Sequence, residues 1–178
     1  MKIWVQKLYL RPKRRYIMKL QEINFNFTDA INKGALLSVL DKDGRKNTMT
    51  VSWGQAGILW NKEICTVYVR PERHTFSLCE NAEVFSLSFF GEEKKDALSF
   101  CGTKTGRDVD KFEACSLSHT VQSGAVVFDD AHTTLILRVL YKSDIQPEKF
   151  LSDTPLSFYK SNGFHRAYTC EITDILQK

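Results

Sequence analysis

The sequence lacks the patterns that mark several large classes of proteins. No apolar run approaches the ~20 residues that a membrane-spanning helix needs. The five cysteines are odd in number and widely spaced and form no C-x-x-C pair, which argues against a disulfide framework and a zinc knuckle. The four histidines form no H-E-x-x-H motif. We therefore expect no membrane span and no metal site, and a reducing, cytoplasmic setting is the simplest account of the cysteines.

Motifs that carry catalytic chemistry are also missing. No G-x-G-x-x-G follows a strand-like run, and no G-x-S-x-G elbow occurs. Residues 102–106 read GTKTG, but the spacing is not that of a P-loop. The acidic pairs at 92–93 and 129–130 lie where solvated turns or helix starts are expected. The sequence therefore predicts no catalytic side chain.

Positive charge is concentrated at the start of the chain. Residues 1–18 hold six basic residues and no acidic one, whereas Lys19 and the residues after it hold 19 basic against 21 acidic residues. We expect residues 1–17 to be a poorly ordered basic extension, with Met18 as the functional start, and residues 18–178 to form one domain. Because the body has no basic excess, a nucleic-acid partner is not expected.

The remaining pattern predicts a mainly β fold. Aromatic and β-branched residues are frequent, and short runs of them are separated by turn residues. Few helices are expected between them, so the residues alone favour a barrel or a sandwich over a doubly wound sheet. The predicted strands are 35–40, 47–53, 64–69, 84–90, 124–129, 133–142 and 168–176. The predicted helices are 28–34 with Thr28 as N-cap, 73–81, 92–100 and a turn at 109–115. Hairpin turns are expected at 41–44 and 129–132, and a polar loop at 101–110.

Residues 47–75 collect groups suited to a flat ligand that carries a phosphate. Side chains two apart on a strand share a face, so we expect one face to offer hydroxyls (Thr48, Thr50, Ser52) and the other to offer apolar bulk (Met49, Val51, Trp53).

Anion-binding groups follow on the next predicted strand and in the later loop. Arg70 and Arg73 flank Pro71, and arginine binds phosphate through paired hydrogen bonds. Thr75 lies where a short helix begins, and a helix N-terminus favours an anion. The loop adds Lys104, Thr105, Arg107 and Lys111. Each of these residues alone is more often structural, and their combination does not name the ligand.

The motifs together resemble the flavin reductase-like family, whose flavoredoxin-type members bind FMN. The similar stretches occur in the family's order over nearly the whole body of the chain. They are NTMTVSWG at 47–54, LWNK at 59–62, VYVRPERHT at 67–75, LSFF at 87–90, CGTKTGRDVDK at 101–111, FHRAY at 164–168 and EI at 171–172.

The resemblance implies a split β-barrel, a Greek-key antiparallel barrel with a few short helices that forms homodimers with FMN near the subunit interface. NADH or NADPH would be the electron donor, and the acceptor stays open. His74 stands where relatives often have Tyr. The implied FMN-binding residues are Thr48, Met49, Thr50, Val51, Ser52 and Trp53 at the ring and ribityl chain, Arg70, Pro71, Arg73, His74 and Thr75 at the phosphate or ribityl hydroxyls, and Gly102, Lys104, Thr105 and Gly106 closing over the site.

Two other functions stay open at this point. The chain could hold FMN as an electron carrier without an NAD(P)H site of its own, or it could be an interaction protein whose flavin site has decayed. The hydroxyl, arginine and loop positions all remain polar, which counts against a decayed flavin site. Cys101 lies beside the predicted loop, but a packed cysteine is expected there rather than a redox thiol, because nothing in the sequence lowers its pKa.

Overall fold

The computed structural model describes residues 18–159 and 163–178, and the predicted extension at 1–17 lies outside this range. Nine strands hold 41% of the described residues, against 27% in helices, which confirms the mainly β prediction. The strands are β1 (Ala35–Leu40), β2 (Lys46–Val51), β3 (Gly54–Leu59), β4 (Lys62–Val69), β5 (Val84–Phe89), β6 (His119–Gln122), β7 (Ala125–Phe128), β8 (Thr133–Asp144) and β9 (Arg166–Gln177).

In the described residues, five short helices and several 3-10 turns precede or connect the strands. The helices are α1 (Phe27–Lys33), α2 (His74–Glu80), α3 (Lys95–Thr103), α4 (Lys111–Ala114) and α5 (Asp153–Leu156). Most have a recognisable start signal. Asn26 caps α1 by accepting from the Asp29 amide, and Asp110 caps α4 by accepting from the Phe112 and Glu113 amides.

Seven strands form one antiparallel sheet in the order β2-β1-β5-β8-β9-β4-β3. Consecutive strands β2 and β3 therefore lie at opposite edges of the sheet, although only Ser52 and Trp53 separate them. The sheet must curve to bring these edges together, and its concave side encloses the main core. Leu37, Val39, Met49, Val51 and Val67 are among the buried residues there.

A second layer covers the outer side of β1 and β2. Leu36, Cys101, Phe112 and Phe128 belong to one apolar cluster that joins the sheet to α3, α4 and the β6–β7 hairpin. Side chains on β2 consequently alternate between the barrel core and this outer layer. The end of β2 is thus fixed from both sides.

The connection between β8 and β9 is the longest between strands that follow each other in the chain and pair in the sheet. Its described residues, 145–159 and 163–165, include α5 and two 3-10 turns at Pro147–Lys149 and Ser157–Tyr159. We call these residues the β8–β9 connection. They lie beside the ends of β2 and β4.

Several predicted elements differ in detail from the structure. The cap of α1 is Asn26 rather than Thr28, and β2 ends at Val51 rather than at 53. Helix α3 continues to Thr103, so the predicted loop at 101–110 is shortened to 104–110. Residues 129–132 do not close a hairpin, because β7 pairs only with β6 and β8 lies in the large sheet. The sequence prediction also missed β3 and β6.

Candidate functional site

A cleft of about 470 Å³ opens where the ends of β2 and β4 approach each other. Strand β4 ends at Val69, shortly before Pro71, which cannot donate to a sheet ladder. Strand β2 pairs with β1 on one side only, so main-chain groups on its other edge are available to a ligand. We call this cleft the ring cavity, and it is lined by Met49, Thr50, Val51, Ser52, Trp53, Tyr68, Arg70, Glu72, Arg73 and His165.

A smaller cavity of about 90 Å³ continues from the ring cavity, with which it shares Met49, Glu72 and Arg73. Basic side chains outnumber the single carboxylate around it, so its field favours an anion. We call it the anion pocket. Its other lining residues are Asn47, His74, Thr75, Lys104, Thr105, Gly106, Arg107 and Lys111.

Two cations fix the end of α3 beside the anion pocket. Arg73 donates from Nη2 to the Gly102 carbonyl at 2.8 Å. Lys111 donates from Nζ to the Cys101 carbonyl at 2.8 Å and to the Thr48 carbonyl at 3.0 Å. Carbonyls in the last turn of a helix have no intrahelical partner and carry partial negative charge. These bonds therefore hold α3, β2 and the loop at 104–110 together around the pocket.

Close packing shapes the opposite wall of the anion pocket. Asn47 donates from Nδ2 to Thr75 Oγ1 at 2.8 Å, and both residues are buried. A Cβ added at Gly106 would lie 2.8 Å from Asn47 Cγ and 2.9 Å from His74 Cδ2, so only glycine fits without displacing them. Burial, followed by the charges of Arg107 and Lys111, lowers the pKa of His74, which favours its uncharged imidazole.

Aromatic rings form one wall of the ring cavity. The Trp53 ring lies edge-on to Phe158 at 5.4 Å and tilted to His165 at 5.0 Å between centroids. His165 Nδ1 lies 3.1 Å from the Tyr159 hydroxyl. His165 is 8% exposed, and its burial, with the charge of Arg70, lowers its pKa to about 4. The imidazole is therefore an uncharged hydrogen-bonding group at the cavity.

Charged residues after β4 fasten the β8–β9 connection to the cleft. Arg70 donates from Nη2 to the Phe158 carbonyl at 2.9 Å, and its guanidinium lies 5.2 Å from the centre of the Tyr159 ring. Glu72 accepts a hydrogen bond from the Gly163 amide, which is the main reason why its pKa is lowered. The aromatic wall is thus held in place by the residues that line the cleft.

The hydroxyls predicted to line the ligand are mostly used by the fold. Thr48 Oγ1 is fully buried and accepts from Ser38 Oγ at 2.9 Å, and Thr50 Oγ1 donates to the Leu98 carbonyl at 2.5 Å. Ser52 alone among the three is exposed, and it lines the ring cavity. What this strand offers a ligand is therefore its main chain and Ser52 rather than a row of hydroxyls. Of the predicted apolar face, Met49 and Val51 lie in the core, whereas Trp53 is exposed.

The other predicted residues divide between the two cavities. Met49 and Arg73 line both, and Arg70 and Trp53 line only the ring cavity. Arg70 therefore lies in the ring cavity and does not line the anion pocket. Pro71 is exposed and Gly102 contributes its carbonyl, so neither lines the cleft. The predicted FMN-binding residues that line only the anion pocket are His74, Thr75, Lys104, Thr105 and Gly106.

Sequence reasoning missed four of the lining residues, Asn47, Tyr68, Glu72 and His165. Tyr68 lies two residues before Arg70, and Glu72 lies between Pro71 and Arg73, so closeness to predicted residues was the available signal. His165 comes from a segment almost a hundred residues later, and no local pattern connects it to the cleft. No group of three metal-ligating side chains occurs in the described residues. No helix among them is long and apolar enough to cross a membrane.

Comparison with known proteins identifies similar folds. Residues 31–175 match the family model described as Flavin reductase like domain. Among solved structures, an FMN-binding protein from Thermus thermophilus with bound 1-cyclohex-2-enone is 22% identical, with a TM-score of 0.62 over 81% of this chain and 69% of that one. No curated protein matched the chain.

Two flavoredoxins give similar values. The protein from Methanosarcina acetivorans is 18% identical, with a TM-score of 0.63 over 82% of this chain and 68% of its own. The protein from Desulfovibrio vulgaris is 17% identical, with a TM-score of 0.64 over 82% and 69%. Likeness at this level concerns the fold, and it confirms the predicted split β-barrel.

Proposed function

The chain belongs to the flavin reductase-like domain family, and on that premise we propose that its cleft binds FMN and passes electrons from NADH or NADPH to a flavin or another acceptor. The observation that carries the proposal is the two-part cleft. Its larger part of about 470 Å³ has an aromatic wall, and its smaller part of about 90 Å³ is ringed by cations. A ligand that consists of a flat ring system joined to a phosphate has two parts that match the two parts of the cleft.

The donor groups suit each part of FMN. The outer edge of β2 from Met49 to Trp53 offers main-chain N–H and C=O groups to the polar edge of a flat heteroaromatic ring. Arg73 lies where the two cavities meet, and Thr75 lies farther along in the anion pocket. Arginine and hydroxyl groups of this kind bind phosphate and ribityl oxygens.

The chemistry of the proposed reaction belongs to the cofactor. Bound FMN supplies a ring that accepts a hydride and releases electrons singly or in pairs. The protein residues bind and orient it: Arg73 and the loop at 104–110 hold the anionic end, and Trp53 limits the access of water to the ring end. Neutral His165, fixed by Tyr159, provides a hydrogen-bonding group without a charge that would change with pH near neutrality.

An electron carrier without an NAD(P)H site is the second candidate. Trp53 is packed against Phe158 and His165, which leaves less aromatic surface for a nicotinamide to stack on. The proposal also includes a homodimer and a reducing cytoplasmic setting. All five cysteines are free thiols, which supports the reducing setting.

The visible spectrum of the purified protein tests the proposal. FMN added to the protein should be retained through gel filtration, and anaerobic NADH or NADPH should bleach the visible flavin band. Retention of FMN without bleaching by either nucleotide would favour the electron carrier. A protein that retains no FMN would contradict both candidates.

A further inference from the structure

Lys111 is a buried cation without an acidic partner in the described part of the chain. The residue is 3% exposed, and no carboxylate of residues 18–159 or 163–178 forms an ion pair with it. Burial lowers the pKa of Lys111, and the charge of Arg73, which has the same sign, lowers it further. Burying a charge in this way is unfavourable unless an opposite charge or several hydrogen bonds compensate it.

Its hydrogen bonds compensate the charge only in part. An ammonium group has three N–H donors. Two of them go to the carbonyls of Thr48 and Cys101, and the third has no partner among the described residues. Lys111 nevertheless lines the anion pocket together with Arg73 and Arg107. One donor and one unbalanced charge therefore remain at the floor of this pocket.

We propose that Lys111 determines specificity for a phosphate-bearing flavin, with the phosphate as the missing counter-ion of the buried ammonium group. This inference rests on the proposed flavin function and concerns the anionic end of the ligand. A phosphate monoester carries a charge of about −1.5 to −2 at pH 7 and three acceptor oxygens. Riboflavin shares the ring and ribityl chain but lacks the phosphate. Lys111 therefore favours FMN over riboflavin, and inorganic phosphate competes with FMN at the same place.

A purely structural role for Lys111 makes a different prediction. If Lys111 only joined α3 to β2 through the two carbonyls, its replacement would disturb the whole cleft, and FMN and riboflavin would weaken together. The ratio of the two dissociation constants therefore separates the two roles.

The test compares FMN and riboflavin binding to wild type, Lys111→Met and Lys111→Gln by isothermal titration. Glutamine keeps two N–H donors for the two carbonyls but removes the charge and the third donor, so it serves if the methionine variant does not fold. We expect the preference for FMN to fall about 10- to 100-fold in both variants, as for a lost hydrogen bond to a charged group. Riboflavin affinity of Lys111→Gln should stay within about twofold, because its amide keeps donors for both carbonyls and the ring cavity is unchanged. Lys95→Gln removes an exposed lysine of α3 outside the cleft and should leave the ratio unchanged.

A second measurement uses inorganic phosphate alone. Phosphate should raise the melting temperature of wild type and not that of Lys111→Gln. An undiminished preference for FMN in Lys111→Gln, or an equal loss of both flavins, would overturn the inference. Wild-type protein that bound neither flavin would contradict the proposed function. In that case, a phosphate-induced rise in melting temperature that is lost in Lys111→Gln would still support Lys111 as the partner of the anion.

Discussion

At the scale of single residues, the two arginines that flank Pro71 have different positions in the cleft. Arg73 lies at the junction of the two cavities, whereas Arg70 lines only the ring cavity and holds the Phe158 carbonyl. The sequence pattern treats them as a pair that holds the ligand phosphate. Their positions imply that their replacement has different consequences.

We expect Arg70→Ala to weaken FMN and riboflavin binding alike, by about 1.5–3 kcal/mol, because a hydrogen bond that fixes the aromatic wall is lost. Fluorescence titration with both flavins measures this. Arg138→Ala, which removes an exposed arginine of β8 paired with Glu171, is the control and should change neither affinity. A loss confined to FMN would place Arg70 at the phosphate instead.

His165 should make the stability of the protein depend on pH. Its pKa is about 4 in the folded protein against an ordinary value of 6.5. Between these pH values His165 binds more protons in the unfolded chain than in the folded protein. Its contribution to the free energy of unfolding is therefore fully present above pH 6.5 and decreases as the pH falls toward 4. The decrease amounts to about 3.5 kcal/mol at most, because the pKa falls from 6.5 to about 4 and each pKa unit corresponds to about 1.4 kcal/mol.

Urea unfolding of wild type and His165→Gln at pH 7 and pH 4.5 measures this contribution. The variant should lose less stability than wild type over this interval, although both lose some through other groups. His132→Gln removes an exposed histidine and should follow wild type. Equal losses in wild type and His165→Gln would show that His165 titrates normally in the folded state.

At the scale of elements, the loop at 104–110 has one position where the backbone passes directly against two side chains. A methyl group at Gly106 would displace Asn47 or His74, and Asn47 also holds Thr75. We expect Gly106→Ala to weaken FMN binding about tenfold or more, because both sides of the anion pocket move. Isothermal titration measures it, and Gly57→Ala on the edge strand β3 is a matched control because nothing lies within 4 Å of the added Cβ.

Strand prediction from the sequence was accurate where apolar side chains alternate along a strand and pack into the main core. The alternation in β2 and β5 follows their contact with the core, and the predicted pairing of β1 with β2 across residues 41–44 is confirmed. Strand β3 was missed because it contains two glycines and lies exposed at an edge of the sheet, where no alternation of burial is imposed. Residues Trp60 and Asn61, which follow it, both have positive φ, as a tight hairpin turn requires.

The site was predicted only as far as local sequence allows. Thr48 and Thr50 share a strand face as expected, but the sequence could not show that α3 and β1 would use their hydroxyls. His165 reaches the cleft through the pairing of β9 with β4. Contacts of this kind depend on the closed sheet and not on spacing along the chain. The predicted binding residues stay predictions until ligand binding is measured.

At the scale of the whole molecule, an apolar patch lies at one edge of the sheet. Ile58 is 72% exposed, Trp60 is 55% exposed and Tyr141 is 54% exposed, with 6.3 Å between the centroids of the last two rings. Edge strand β3 adds unpaired main-chain groups beside them. Exposed edges and apolar patches of this kind favour association with another chain.

We expect this patch to form part of the interface of the proposed homodimer. Sedimentation equilibrium of wild type should give twice the monomer mass of 20.5 kDa, and Ile58→Asp should shift the population toward the monomer, because a charge buried at an interface without a partner is strongly unfavourable. Leu151→Asp replaces another exposed apolar residue, in the β8–β9 connection, and should leave the dimer intact. A dimer that tolerates Ile58→Asp would place the interface on a different face, and a monomeric wild type would remove the dimer from the proposal.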